Sequence, residues 1–295
     1  MDFKTLSLSH IDLLRPYFSS NLCRICDCTI GGTFIWRDLF NTEFAIVDRV
    51  LYLKVRYLTG DIAFTPPRGE IGAEKETYDR IISFSREIGC PPRLCAVSSH
   101  RLERIKEYYP NAKAYTDRAW TDYLYLSEDI RDLSGRRYSG QRNHINKFLR
   151  EYPDWTFEQL GSGNLRDVRD FFESYAKEHI KDYAAYDEGN IKTLEVLDNL
   201  EHYGMFGGVL KARGQVVGAS LGETVGDTLF VHIEKSLTEY NGSYPMLVNQ
   251  FAKMFAVGDV AHINREEDDG VEGLRTSKLS YHPTALLDKY VVELE

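Results

Sequence analysis

The largest local departure from the mean charge of the chain lies between Arg131 and Arg150. Arg131, Arg136, Arg137, Arg142, Lys147 and Arg150 occur there with Asn143 and His144 among them, in a chain whose net charge is -9. A helix beginning near Tyr138 turns Ile145, Phe148 and Leu149 toward a core and sets Arg142 and Asn146 on a neighbouring face. Arg136 and Arg137 then stand at its entrance, where backbone N–H groups and the helix dipole favour an anion. Gly135, Ser139, Gly140 and Gln141 permit close backbone approach. Two readings stand side by side: a phosphate held by Arg136, Arg137, Arg142 and Asn143, or a solvated basic face that pairs with the acidic remainder.

Two further groups carry acid-base potential. His232 and Glu234 are two apart in TLFVHIEKSL and project from one strand face. A partly desolvated carboxylate or imidazole there suits a general base acting on an amine or hydroxyl, and the pair equally suits a structural hydrogen-bonded couple. The run Asn264-Arg265-Glu266-Glu267-Asp268-Asp269-Gly270 leaves a strand and enters a helix, where acids favour the helix start. That explains Asp268 and Asp269 better than Asn264, Arg265 and Glu266. Arg275 and Lys278 share a helix face, and Tyr281 precedes the stop at Pro283. Glu234, Glu266 and Tyr281 are therefore the candidate catalytic groups. Arg136, Arg137, Arg142, Asn143, His232, Asn264, Arg275 and Lys278 are the candidate substrate-binding groups, able to position a polar substrate and stabilise an oxyanion.

Other chemistries find no footing. The sequence lacks a Gly-x-Ser-x-Gly elbow, a phosphate loop ending in Gly-Lys-Ser/Thr and a His-Glu-x-x-His helix. Its acidic balance argues against a surface built for DNA. No apolar run approaches the roughly 20 residues of a membrane span, and MDFKTLSLSHIDLLRPYF does not read as a secretory signal, so a cytoplasmic protein is expected. The five cysteines, Cys23, Cys26, Cys28, Cys90 and Cys95, then read as reduced thiols. No ligating His flanks either group, so they are taken as small buried hydrophobes rather than a metal site.

The elements that must position these groups follow from periodicity. Strands fit Glu43–Val47, Val50–Tyr57 and Asp61–Thr65, a helix fits Ala73–Ile88, a strand Arg93–Val97, a helix His100–Tyr109 and a strand Asp122–Leu126. The second half starts with a strand at Trp155–Leu160 and helices at Asn164–Lys181 and Asn190–Tyr203. Three strands follow from Met205, Val216 and Thr228, then a helix at Tyr244–Val257, a strand at Val260–Asn264, a helix at Val271–Leu279 and a last strand at Tyr290–Leu294. Both halves share the succession β-β-β-α-β-α-β, which suggests a duplicated fold.

This succession resembles the GNAT acyltransferase fold. In doubled form it resembles the aminoacyl-tRNA-dependent transferases, namely Fem-type enzymes and the catalytic part of phosphatidylglycerol lysyltransferase. DYLYLSEDIRDLSGRRYSGQRNHINKF from Asp122, INREEDDGVEGLRTSKLSYHP from Ile263 and CDCTIGGTFIWRDLF from Cys26 are similar to the bacterial family grouped with the lysyltransferase C-terminal domain. The resemblance implies an α+β fold of two tandem GNAT-like units, each a mixed, mainly antiparallel sheet flanked by helices. Residues 1–117 are expected as a scaffold unit and 118–295 as the unit with the active cleft. It further implies transfer of an aminoacyl group from aminoacyl-tRNA to an amine or hydroxyl on an anionic lipid headgroup of phosphatidylglycerol type, a peptide or a small molecule. The alternatives are an N-acyltransferase using acyl-CoA, or a non-catalytic module binding a phosphorylated ligand. GNAT units hold the CoA pyrophosphate on an Arg/Gln-x-x-Gly-x-Gly/Ala turn. Here that turn reads Glu239-Tyr240-Asn241-Gly242-Ser243-Tyr244 and only Gly242 matches, so no cofactor is expected and acetyl-CoA should bind poorly.

Overall fold

The computed structural model describes residues 1–18, 23–178 and 184–294. The chain folds into two compact units. The first comprises Met1–Asp122, Glu267–Gly270 and Leu287–Glu295; the second comprises Tyr123–Glu266 and Val271–Leu286.

The first sheet contains, among the described residues, β1 (Lys4–Thr5), β2 (Glu43–Val47), β3 (Val50–Arg56), β4 (Ile62–Phe64), β5 (Arg68–Gly69), β6 (Arg93–Ser98), β7 (Lys113–Thr116) and a strand from the far end of the chain, β15 (Lys289–Glu293). Their order is β1-β2-β3-β4-β6-β15-β7, with β5 also on β3. Asp48 and Arg49 take φ of +52° and +62° between β2 and β3, the paired left-handed conformation that matches the twist of a tight hairpin. The helix Glu74–Ile88 buries Tyr78, Ile81, Ile82 and Ser85 along one stripe and stops at Gly89, whose φ of +73° ends the turn. Tyr52, Phe64, Tyr78, Ile81, Leu94, Val97 and Ile105 form the core with Val292. Among the described strands of this sheet only β4 and β6 run parallel, through a single register pair, Phe64 with Leu94.

The last strand departs from expectation. Read as closing the second half, it lies instead between β6 and β7, with Tyr290 opposite both Val97 and Thr116. The division 1–117 and 118–295 is corrected accordingly, because Leu287–Glu295 returns to the first unit. Val292 is fully buried and Leu294 nearly so. The strand thus completes the first core and gives β6 a partner on its otherwise open edge. Lys113–Thr116, to which the periodicity assigns no element, is itself a strand of this sheet.

The second sheet holds β8 (Asp122–Leu126), β9 (Thr156–Gln159), β10 (Phe206–Ala212), β11 (Gln215–Val225), β12 (Thr228–Ser236), β13 (His262–Asn264) and β14 (Ala285–Leu287), ordered β14-β8-β13-β12-β11-β10-β9. Arg213 and Gly214 turn β10 into β11 with φ of +52° and +74°. The helix Ser243–Phe255 buries Met246, Leu247, Val248, Phe251 and Ala252, each large side chain contributing about 1.5–3 kcal/mol. The helix expected at Asn164–Lys181 is observed as Leu165–Glu178, and Lys181 lies outside the described residues. The helix expected at Asn190–Tyr203 is observed as Ala184–Asp198 followed by Leu200–Tyr203. Among the described residues no helix is long and apolar enough to cross a membrane.

Two expectations for the cysteines are also corrected. Cys23 and Cys28 form a disulfide, their Cα atoms 6.2 Å apart across the short helical turn Cys26–Cys28, a spacing within the range such a bond requires. Cys26 is free and buried, but its surroundings are charged rather than apolar, with Lys289, Asp122 and Glu267 against its sulfur.

Candidate active site

In the second unit the two parallel strands part. β12 and β13 pair at Thr228–His262, Leu229–Ile263 and Phe230–Asn264 and no further. Beside this fork the register between β11 and β12 slips: Leu221 faces Ile233 while Gly222 faces Val231. His232 is the extra residue, and such bulges re-aim side chains beside functional clefts. Gly222 is required there, since a Cβ would lie 2.2 Å from the Phe230 carbonyl oxygen. Gly222→Ala is expected to force the strands apart at the bulge, costing about 1–3 kcal/mol of stability, read from urea unfolding.

Charged side chains bridge the fork. Arg265 follows β13 and donates to Glu234 of β12, Nη2 to Oε1 at 2.5 Å. Burial works against the Arg265 charge, but the Glu234 carboxylate outweighs it and holds the guanidinium pKa above its ordinary value. Its plane faces the Tyr281 and Tyr125 rings at 5.0 and 6.0 Å. Arg265 is 8% exposed, and its Nη1 has no hydrogen-bond partner. A small cavity of about 10 Å³ lies alongside, lined by Arg265, Glu234 and apolar side chains including Val231, Val248 and Phe251.

His232 sits between two carboxylates, Nε2 at 3.0 Å from Glu223 Oε1 and Nδ1 at 2.7 Å from Glu266 Oε1. Burial alone would lower its pKa; the hydrogen bonds to Glu223 and Glu266 prevail and raise it to about 10. Near neutral pH both ring nitrogens therefore donate, and His232 serves as a fixed cation rather than a base. Glu266 has a left-handed φ of +56°, uncommon for a residue with a side chain and frequent where function fixes the backbone. Asn264, fully buried, accepts from the Glu266 N–H at 2.6 Å. Lys278 Nζ donates to the carbonyls of Arg265 and Glu266 at 2.6 and 3.3 Å. These contacts hold the turn that presents Glu266.

The structure thus joins Glu234, Glu266, His232, Asn264, Lys278 and Tyr281 in one constellation. Tyr281 is 3% exposed, and burial pushes its phenol pKa up, so it remains a neutral donor. Arg275 stands half-buried on the same helix as Lys278. The arginines of the basic segment are placed differently. Arg137 pairs with Asp129 at 2.6 Å, and Arg142 donates to the carbonyls of Leu133 and Gly135, bracing the turn before the helix Ser139–Glu151. Arg136 and Asn143 are exposed. The start of that helix is nevertheless tied to the Tyr281 corner, by Gln141 to the Ser280 carbonyl at 2.7 Å and by the Tyr138 hydroxyl to the Tyr281 carbonyl at 3.1 Å. Glu223 escaped the sequence reading, although an acid inside the small and apolar run VVGASLGETV is a signal in retrospect. Arg265 was visible only as part of an unexplained polar run.

The turn Glu239–Tyr244 is closed on itself. The Ser243 N–H bonds the Tyr240 carbonyl at 2.9 Å, and a Cβ on Gly242 would lie 2.2 Å from the His144 carbonyl oxygen. The backbone of Gly242 is therefore packed against the helix Ser139–Glu151.

Residues 24–293 match the family described as phosphatidylglycerol lysyltransferase, C-terminal. The chain belongs to that family. Its structure is similar to a conserved protein of Bacteroides thetaiotaomicron, at 29% identity and TM-score 0.92 over 100% of both chains. It is also similar to L-PGS of Bacillus licheniformis, at 12% identity and TM-score 0.61 over 88% of this chain and 86% of the other. Its fold, two mixed sheets flanked by helices, is shared by an acetyltransferase of the GNAT family from Colwellia psychrerythraea, at 11% identity and TM-score 0.53 over 100% of both chains. An uncharacterised protein of Mycoplasmoides gallisepticum is 25% identical over 176 residues, 59% of this chain and 56% of that protein's length.

Proposed function

We propose that this member of the lysyltransferase family is an aminoacyltransferase whose chemistry takes place at the β12–β13 fork. It moves an aminoacyl group from aminoacyl-tRNA to an amine or hydroxyl acceptor, with an anionic lipid headgroup of phosphatidylglycerol type as the first acceptor to try. The observation that carries this reading is the set of opposed charges at the fork, Glu223–His232–Glu266 beside Glu234–Arg265, fixed before any substrate arrives. Preorganised charge of this kind stabilises a tetrahedral oxyanion without reorganisation. Glu266 takes the acceptor's proton as its nitrogen or oxygen attacks the ester carbonyl, and Arg265, whose Nη1 has no hydrogen-bond partner in this structure, supplies positive charge to stabilise the developing oxyanion. Glu234 and Tyr281 position Arg265. Exposed Arg136, Lys147 and Arg150 offer cations to nucleic-acid phosphates. An aminoacyl ester is favoured over acyl-CoA because the Glu239–Tyr244 turn has its Ser243 amide already bonded and its glycine covered.

The test is transfer of labelled lysine from lysyl-tRNA to phosphatidylglycerol vesicles, to peptides and to small amines, with acetyl-CoA as a rival donor. Glu266→Gln is expected to lower kcat by about a hundredfold or more with little change in KM. Turnover with acetyl-CoA and none with any aminoacyl-tRNA would overturn the reading.

A further inference from the structure

Lys289, the first residue of β15, brings its ammonium into a buried polar cluster of the first unit. Its Nζ lies 3.1 Å from Cys26 Sγ, 2.8 Å from Asp122 Oδ1, 2.8 Å from Glu267 Oε2 and 2.9 Å from Asp27 Oδ2. Lys289 is 5% and Cys26 6% exposed. The thiol in turn approaches Glu267 at 3.4 Å and both Asp122 and Asp27 at 3.6 Å. Three carboxylates and a thiol surround one ammonium, so the amine is pinned against the sulfur with proton acceptors on several sides. The Cys26 backbone is held as well: its N–H donates to Asp122 Oδ2 at 2.7 Å, and the Cys23–Cys28 disulfide brackets its turn.

We propose that Cys26 and Lys289 are a modification site, at which dioxygen converts the pair into a covalent nitrogen–oxygen–sulfur cross-link. The S–H bond, two N–H bonds of the ammonium and the O=O bond break; one S–O and one N–O bond form. Sulfur and nitrogen each lose two electrons. Dioxygen accepts all four, leaving one oxygen in the bridge and the other as water. One proton is released to a flanking carboxylate, Asp122 or Glu267. Sulfur thereby reaches the sulfenyl level of the oxidation ladder, which thiols reverse. Burial and the neighbouring carboxylates push the Cys26 pKa up, so the site rests as a thiol and the conversion is slow. The bridge joins positions 263 residues apart, and a cross-link across so long a loop stabilises chiefly by restricting the unfolded chain. The oxidised form should melt at a higher temperature than the reduced form.

The experiment is peptide mass mapping of the full-length protein after equal incubation under nitrogen and under oxygen, digested without reductant. Support is a linked pair of peptides containing Cys26 and Lys289, heavier than their sum by one oxygen less two hydrogens, that appears only with oxygen and separates with dithiothreitol. Cys26→Ser and Lys289→Arg should both abolish it. Cys95, as buried but hydrogen-bonded to Tyr57, serves as an internal control in the wild-type chain and should stay unlinked to lysine, so the result does not depend on how the variants fold. Unmodified Cys26 and Lys289 after prolonged oxygen, or Cys26 recovered in a disulfide or as a sulfinic acid with Lys289 untouched, would overturn the proposal.

Discussion

Glu234→Gln is expected to lower stability by about 3–5 kcal/mol, because it strands the Arg265 guanidinium in a low-dielectric site. Arg265 has little recourse there: it is 8% exposed, its Nη1 is already unpaired, and around it lie the Tyr125 and Tyr281 rings and apolar cavity walls. Removing both charges should be much milder. Glu234→Leu combined with Arg265→Met replaces the ion pair by apolar groups against a cavity whose other walls are already apolar, and such exchanges are often neutral or stabilising. Urea unfolding of the wild type, the two single variants and the double variant gives the coupling energy directly. A double variant that retains stability but has lost turnover would assign the pair to chemistry. Additive losses in the cycle would instead mean that the two side chains do not act together.

How much of this was legible beforehand depended on the range of the interaction. Alternation and turn chemistry located β2, β3, β10, β11 and β12 within a residue or two, since Asp48-Arg49 and Arg213-Gly214 punctuate apolar runs. The same pattern in Tyr290–Leu294 identified a strand, observed as Lys289–Glu293, but carried no information about its sheet, because pairing with β6 and β7 spans nearly 200 residues in one case and more than 170 in the other. At the site, His232 and Glu234 stood out by their spacing. Glu223 and Arg265 did not, because their partnerships depend on a register slip at Gly222 and on strands that diverge after Phe230. Neither feature has a local sequence pattern. The cysteines show the same limit: nothing near Cys26 announces Lys289.

Alkaline pH should unlock the site through His232. Its folded-state pKa, about 10, lies above the unfolded value of 6.5, so the imidazolium contributes stability that is fully present below pH 6.5. That contribution declines as pH rises from 6.5 and is lost by about pH 10. Linkage sets its size on the order of 5 kcal/mol for this fully buried side chain. Losing the proton removes one of two donated hydrogen bonds and leaves Glu223 and Glu266 as neighbouring anions across a neutral ring. Urea midpoints measured from pH 6 to 10.5 should therefore fall steeply in the wild type. His232→Gln, which retains an amide donor but cannot titrate, should start lower at pH 6 and fall less over the same window, which isolates the contribution of His232. Parallel curves for the two proteins would show that His232 does not hold the extra proton. Turnover should remain level from pH 6 to 9, since the imidazolium persists throughout. An activity profile that rises near pH 6.5 would instead mean that neutral His232 acts as the base and that Glu266 merely orients it.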